Sequence, residues 1–174
     1  MTPRPFPQFV GGGFRGAPDA APGMATVWTV AHEDSAKSAP EPTLKVLVYS
    51  DDRLVRQQVQ QALGRRPDAD LPALEYVECA TPPAVISQVD AGGFALLILD
   101  GEATPAGGMG VCRQLKDEIY RCPPILVLVG RPQDAWLATW SRADGVVAHP
   151  IDAERLATTT STLLRRRTAV SPSA

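Results

Sequence analysis

The sequence predicts an α/β domain: a doubly wound, five-stranded parallel sheet with helices on both faces. Three observations carry this. From Leu44 onward, apolar runs alternate with helical periodicity five times, the pattern of repeated strand–helix units. The run Ala95-Leu96-Leu97-Ile98-Leu99 is apolar at every position, as suits a parallel strand covered on both faces. Two runs end in acidic groups, Ser50-Asp51-Asp52 and Asp100, and open α/β sheets gather ligands outside the carboxyl ends of their strands. With right-handed crossovers, the expected strand order is 2-1-3-4-5, without an antiparallel pair between 44 and 149.

The elements follow in order. A strand over 44–49 leads to a helix from Arg53 to Leu63. Leu54, Val55, Val59 and Leu63 share its apolar face, and Gly64 stops it. A polar loop, 65–72, precedes an alternating strand, 74–79. Pro82-Pro83 opens the second helix, which runs to about Asp90. Strand 95–99 and a loop lead to a helix from Gly108 to Ile119. Gly107, Gly108 and Gly110 read as a flexible turn. Strand 124–129, a helix over 132–141, strand 144–148 and a helix over 152–166 complete the pattern. Trp136 and Trp140 lie four apart and share a helical face, expected to pack on the sheet. The alternative is that they dock a partner, as interfacial hot spots. Arg165-Arg166-Arg167 closes the last helix, where cations complement the dipole.

The chain has 174 residues and a net charge of -2. That length suits one ordinary domain with a tail. Residues 1–42, rich in Pro, Gly and Ala, read as a disordered tail, because this composition buries too little apolar surface to offset ordering entropy. Phe6, Phe9, Val10, Phe14 and Trp28 within it offer a short docking motif as the alternative. Residues 43–167 form the folded domain, and 168–174 a short flexible tail. The charge gives no footprint for nucleic acid. No apolar stretch is long enough to span a membrane, and no signal peptide is evident. Cys79, Cys112 and Cys122 have no paired metal-ligand spacing and read as buried, reduced thiols of a cytoplasmic protein.

The acidic strand ends suggest a hard, oxygen-lined site for Mg²⁺ or for a phosphoryl group held through a metal. The segments Val46-Leu47-Val48-Tyr49-Ser50-Asp51-Asp52-Arg53-Leu54-Val55-Arg56, Leu97-Ile98-Leu99-Asp100 and Val111-Cys112-Arg113-Gln114-Leu115 resemble the receiver domain of bacterial response regulators, the CheY-like fold. The resemblance covers about residues 44–167. It implies that Asp100 is the phospho-acceptor, and that Asp51, Asp100 and the backbone carbonyl of Glu102 bind Mg²⁺. Gly108 matches the family glycine eight residues past the acceptor, whereas Thr104 stands where the family has proline, with Pro105 one place late. Other positions also depart. Ser50 replaces the first carboxylate of the acidic pair. Val129 replaces the Thr or Ser that contacts the phosphoryl group, His149 replaces the lysine, and Val146 the aromatic switch residue. The resemblance also implies a cis peptide between His149 and Pro150.

These departures weaken the chemistry. A carboxylate nucleophile relies on the metal to neutralise developing charge. Exchanging Lys for His replaces a group of pKa about 10.4 with one near 6.5. Val129 supplies no donor, and each lost charge-assisted hydrogen bond costs ~1.5–3 kcal/mol of phosphoryl stabilisation. The expected function is a stand-alone, degenerate receiver in a phosphorelay. It is not an enzyme, binds Mg²⁺ weakly, and acts through protein contacts. Its partners would be a sensor histidine kinase or an effector protein, with a homodimer through the fourth helix, fifth strand and fifth helix. An alternative is a haloacid-dehalogenase-like phosphatase using Asp100 as nucleophile, since Asp100-Gly101-Glu102-Ala103-Thr104 faintly matches its motif. That motif ordinarily ends a first strand, not a third. A flavin module fits less well, because Ser50-Asp51-Asp52-Arg53 presents carboxylates where a flavin phosphate needs backbone donors.

Overall fold

The computed structural model describes residues 41–170. The tail expected over 1–42 lies almost wholly outside that range, as do its candidate docking residues. Five strands and five α-helices alternate: β1 (Thr43–Tyr49), α1 (Arg53–Leu63), β2 (Ala73–Cys79), α2 (Pro82–Ala91), β3 (Phe94–Asp100), α3 (Gly108–Glu118), β4 (Ile125–Val129), α4 (Ala135–Trp140), β5 (Gly145–Ala148) and α5 (Ala153–Val170). The sheet order is β2-β1-β3-β4-β5, and every pairing is parallel. Both match expectation.

β3 is buried at all seven positions, because it is central and covered on both faces. Alternation along the strands divides the core in two. Val46, Val48, Leu96, Ile98, Leu126 and Leu128 pack on one face. Leu47, Tyr49, Leu97, Leu99, Val127 and Val129 pack on the other.

Four expectations need correction. Leu54 is exposed, although Val59 and Leu63 of α1 are buried and Val55 packs against the core; Leu54 sits in the first turn of the helix. The fourth helix is shorter than 132–141. Pro132–Asp134 forms a 3-10 turn, and only Ala135–Trp140 is α-helical. Trp136 and Trp140 are exposed, at 67 % and 56 %. Ala138 is the residue of α4 that is buried. It lies two positions from each tryptophan, about 200° around a helix of 3.6 residues per turn, so burying Ala138 turns both indoles outward. Finally, α5 runs to Val170, four residues past its expected end. Arg165 does more than complement the dipole there. It pairs with Asp68 and, at 2.8 Å, with Asp70, tying α5 to the loop after α1.

The glycines after β3 are not a flexible turn throughout. A Cβ on Gly101 would stand 2.6 Å from the Leu128 carbonyl oxygen, and one on Gly108 2.6 Å from the Asp100 carbonyl oxygen. These positions let backbone approach backbone. Gly110 is different, with open space around it.

Candidate functional site

The register of the strands assembles the site. Tyr49 pairs with Leu99, Asp100 with Leu128, and Val129 with Ala148. Ser50, Asp100 and His149 therefore lie at one carboxyl edge. The backbone N–H of His149 donates to the Val129 carbonyl at 2.8 Å, which fixes the end of β5. A hollow of about 340 Å³ opens there, lined by Asp51, Asp52, Asp100, Glu102, Gly130 and His149. Asp51, Asp100, Glu102 and His149, singled out from sequence, thus share one cavity. Val129 lies one residue from it, fully buried and without a polar side-chain atom.

Asp100 is 3 % exposed, so its carboxylate needs partners. The Ser50 hydroxyl donates to Oδ2 at 2.7 Å, and the Glu102 backbone N–H donates to Oδ1 at 3.0 Å. His149 Nε2 stands 3.8 Å from Oδ1, outside hydrogen-bond range. The His149–Pro150 peptide is cis, as is Thr104–Pro105.

Asp51 projects into the hollow from the loop after β1. The Thr104 hydroxyl donates to its Oδ2 at 2.6 Å, and this bond is the main reason its carboxyl sits below the usual range. Asp52 caps α1, accepting from the Leu54 N–H at 2.7 Å. Arg56 braces the same loop. Its guanidinium donates to the Ser50 carbonyl at 2.6 Å and to Glu78 at 2.8 Å. The Tyr49 hydroxyl reaches across to the Ala106 carbonyl at 2.6 Å and anchors the β3–α3 loop. Burial, then Asp51 and Asp100, push the Tyr49 phenol upward. Glu102 lies exposed at the rim, and its carboxylate accepts from the Gly130 N–H at 3.3 Å.

Sequence reasoning missed four of these roles: Ser50 as donor to Asp100, Thr104 as donor to Asp51, Arg56 as brace, and Glu102 as partner of Gly130. The two hydroxyls carried a usable signal. Both stand where the family has another residue, beside a retained aspartate.

Asp51 and Asp100 offer hard oxygen donors of the kind Mg²⁺ takes. They fit in kind but fall one carboxylate short, because Ser50 holds the place of the third. Among the described residues, no group of three His, Cys, Asp or Glu side chains is positioned to hold a metal ion.

No family model matches the chain. Its sequence is 60 % identical to an uncharacterized response regulatory protein of Mycobacterium tuberculosis, over 122 residues that make up 70 % of this chain and 92 % of that one. The same identity holds for the protein in a second strain of that organism. The chain belongs to the response regulatory proteins. Receiver-like signalling in a two-component system is therefore its class, and the relatives give the phosphatase alternative no support. Solved structures agree on the fold. A putative response regulator from Chloroflexus aurantiacus superposes with a TM-score of 0.62 at 19 % identity, covering 72 % of this chain and all of that one. The chemotaxis response regulator CheY4 of Vibrio cholerae gives 0.59 at 22 % identity, covering 70 % and 99 %. The strand ends of this response regulatory protein thus bring Asp51 and Asp100 to one edge of a receiver-like fold. No described helix is long and apolar enough to cross a membrane.

Proposed function

We propose that this protein is a degenerate receiver that acts through protein–protein contact and accepts a phosphoryl group at Asp100 only weakly. One observation carries the reading. Asp100 and Asp51 line a hollow with His149 in place of the family lysine, and Val129, buried one residue from that lining, offers no polar side-chain atom, so the groups that would hold a phosphoryl group are replaced. In the transfer, a carboxylate oxygen of Asp100 attacks phosphorus. The bond from phosphorus to the donor's leaving group breaks, and that group departs with the electron pair. Mg²⁺, held weakly by Asp51, Asp100 and the Glu102 carbonyl, would neutralise charge on the phosphoryl oxygens. Ser50 holds and orients the Asp100 carboxylate, Glu102 fixes its other oxygen through the backbone, and His149 is the neighbouring group able to become cationic.

The donor is a sensor histidine kinase, and the reader is a kinase or an effector protein. The exposed Trp136 and Trp140 offer the contact surface, with homodimerisation through α4, β5 and α5 as the self-association mode. The cytoplasm is the compartment in which such a kinase presents its phosphoryl group.

The test is incubation with acetyl phosphate and Mg²⁺, followed by intact mass. A small fraction carrying one phosphoryl group is expected, and none for Asp100→Asn. Near-complete, persistent labelling would show a competent receiver instead. Labelling that survives in Asp100→Asn would remove Asp100 as the acceptor. A Mg²⁺ titration unaffected by Asp100→Asn would remove the metal site.

A further inference from the structure

Gly130 follows β4, and its N–H is a backbone donor on the wall of the hollow. Val129 beside it offers no polar side-chain atom. The Gly130 N–H nevertheless has a partner: the Glu102 carboxylate, reaching across from the loop after β3, accepts from it at 3.3 Å. The fit is close. A Cβ at position 130 would stand 2.7 Å from Glu102 Cδ and 2.8 and 2.9 Å from its two oxygens. Gly130 has no left-handed φ, so its missing side chain serves space rather than backbone conformation. Glu102 and Gly130 are thus a matched pair: a carboxylate and the bare peptide on which it rests.

The charge around them points the same way. Asp51, Asp52, Asp100 and Glu102 supply carboxylates to the lining, against His149 as the one lining side chain able to become cationic. An oxyanion entering this space meets like charge and finds the Gly130 donor already taken.

We propose that Glu102 is a tethered plug: its carboxylate occupies the Gly130 amide that an incoming tetrahedral oxyanion, a phosphoryl group, would otherwise use. The proposal rests on reading this hollow as the phosphoryl site, and it deepens that reading. The weak chemistry then has a removable cause besides the two replaced side chains. The backbone carbonyl of Glu102, the candidate metal ligand, is untouched by changes to the side chain.

Two substitutions remove the plug by different routes. Glu102→Ala deletes the carboxylate. Gly130→Ala keeps it but places a methyl group where it rests, which the flexible end of Glu102 escapes by swinging to solvent. Both sites are at the rim, so the fold survives, and circular dichroism with a thermal melt checks this. The probe is inorganic phosphate at fixed Mg²⁺, followed through the amide resonance of residue 130. In Glu102→Ala and Gly130→Ala the resonance moves saturably, with affinity at least ~5-fold above wild type, the factor for one net hydrogen bond. Glu102→Gln, which keeps an acceptor oxygen but loses the charge, falls between. Phosphate affinity at wild-type level in both Ala variants overturns the plug.

Acetyl phosphate labelling of the same variants separates this idea from the acceptor reading. Tighter phosphate binding without any adduct on Asp100 keeps the plug and removes the acceptor. Equal labelling of wild type and both variants keeps the acceptor and removes the plug.

Discussion

On the β1–β3 side of the hollow, each polar group has a partner from the chain itself. Ser50 and the Glu102 N–H meet the two oxygens of Asp100, Thr104 meets Asp51, and Arg56 braces the carbonyl of Ser50. On the β4–β5 side, Val129 lies buried one residue from the lining, without a polar side-chain atom, and His149 Nε2 stands 3.8 Å from Asp100. The difference follows from burial. A buried carboxylate is costly unless paired, so Asp100 comes with a set of donors that cannot be removed singly without loss of stability. Val129 ends β4 and contributes apolar packing to the core, and His149, one residue past β5, makes no hydrogen bond to Asp100. The acidic half is held by polar pairing; the opposite half is held at Val129 by apolar packing.

If that contrast holds, rebuilding the second half should have the largest effect. Val129→Thr combined with His149→Lys is expected to raise acetyl phosphate labelling of Asp100 by ~10-fold or more, since each restored hydrogen bond to a charged group contributes ~1.5–3 kcal/mol. Intact mass over a time course reads it, and labelling unchanged from wild type would break the comparison. Because Val129 is fully buried, the added hydroxyl should also lower stability by ~1–3 kcal/mol, read as a lower denaturation midpoint.

The acidic half should answer in stability. Gly108→Ala forces a methyl group against the backbone of Asp100 and Leu99, and is expected to cost ~2–3 kcal/mol by overpacking. Gly110→Ala, in open space within α3, should instead stabilise by ~0.5–1 kcal/mol. Urea titrations of both variants test the contrast, and equal effects would sink it. Ser50→Ala leaves a buried Asp100 oxygen without its donor and should cost ~1–3 kcal/mol. A loss below the error of a urea titration would mean that Asp100 finds another partner.

The smallest effect concerns the brace. Arg56, then Gln60, holds the Glu78 carboxyl below its ordinary range. A depressed carboxyl contributes stability above its unfolded value, about 4.3, and loses it as pH falls through the lower folded value. Because Glu78 is near the surface, the contribution is below ~1 kcal/mol. Glu78→Gln should flatten the acid limb of the stability curve slightly while leaving stability near neutrality within that margin. An unchanged limb would show that Arg56 braces the loop without help from Glu78.

Much of this was legible from residues alone. The continuous apolar run 95–99 marked the central strand, and the alternation of patterns gave the sheet its order. Asp51 and Asp100 were visible because carboxylates after apolar strands are conspicuous. Ser50 and Thr104 were not, since a hydroxyl reveals its role only when its acceptor's position is known. Gly108 was misread for a related reason. Glycine signals either flexibility or close approach, and only the neighbouring backbone decides between them. Trp136 and Trp140 misled because periodicity says that two residues share a face without saying which way it points. In a six-residue helix, the small Ala138 settled that.

The outward turn of those indoles has an optical consequence. Three tryptophans occur in the chain, and the two on α4 already stand in water in the native state. Their emission should lie near that of free indole and change little when the core melts, so a fluorescence-detected unfolding curve would understate the transition that circular dichroism follows. The same placement makes them a built-in reporter of association. Any partner that covers α4 removes water from both rings and from Arg113, whose guanidinium lies 6.0 Å from the Trp140 ring centre. A blue shift on mixing would mark that encounter without any added label.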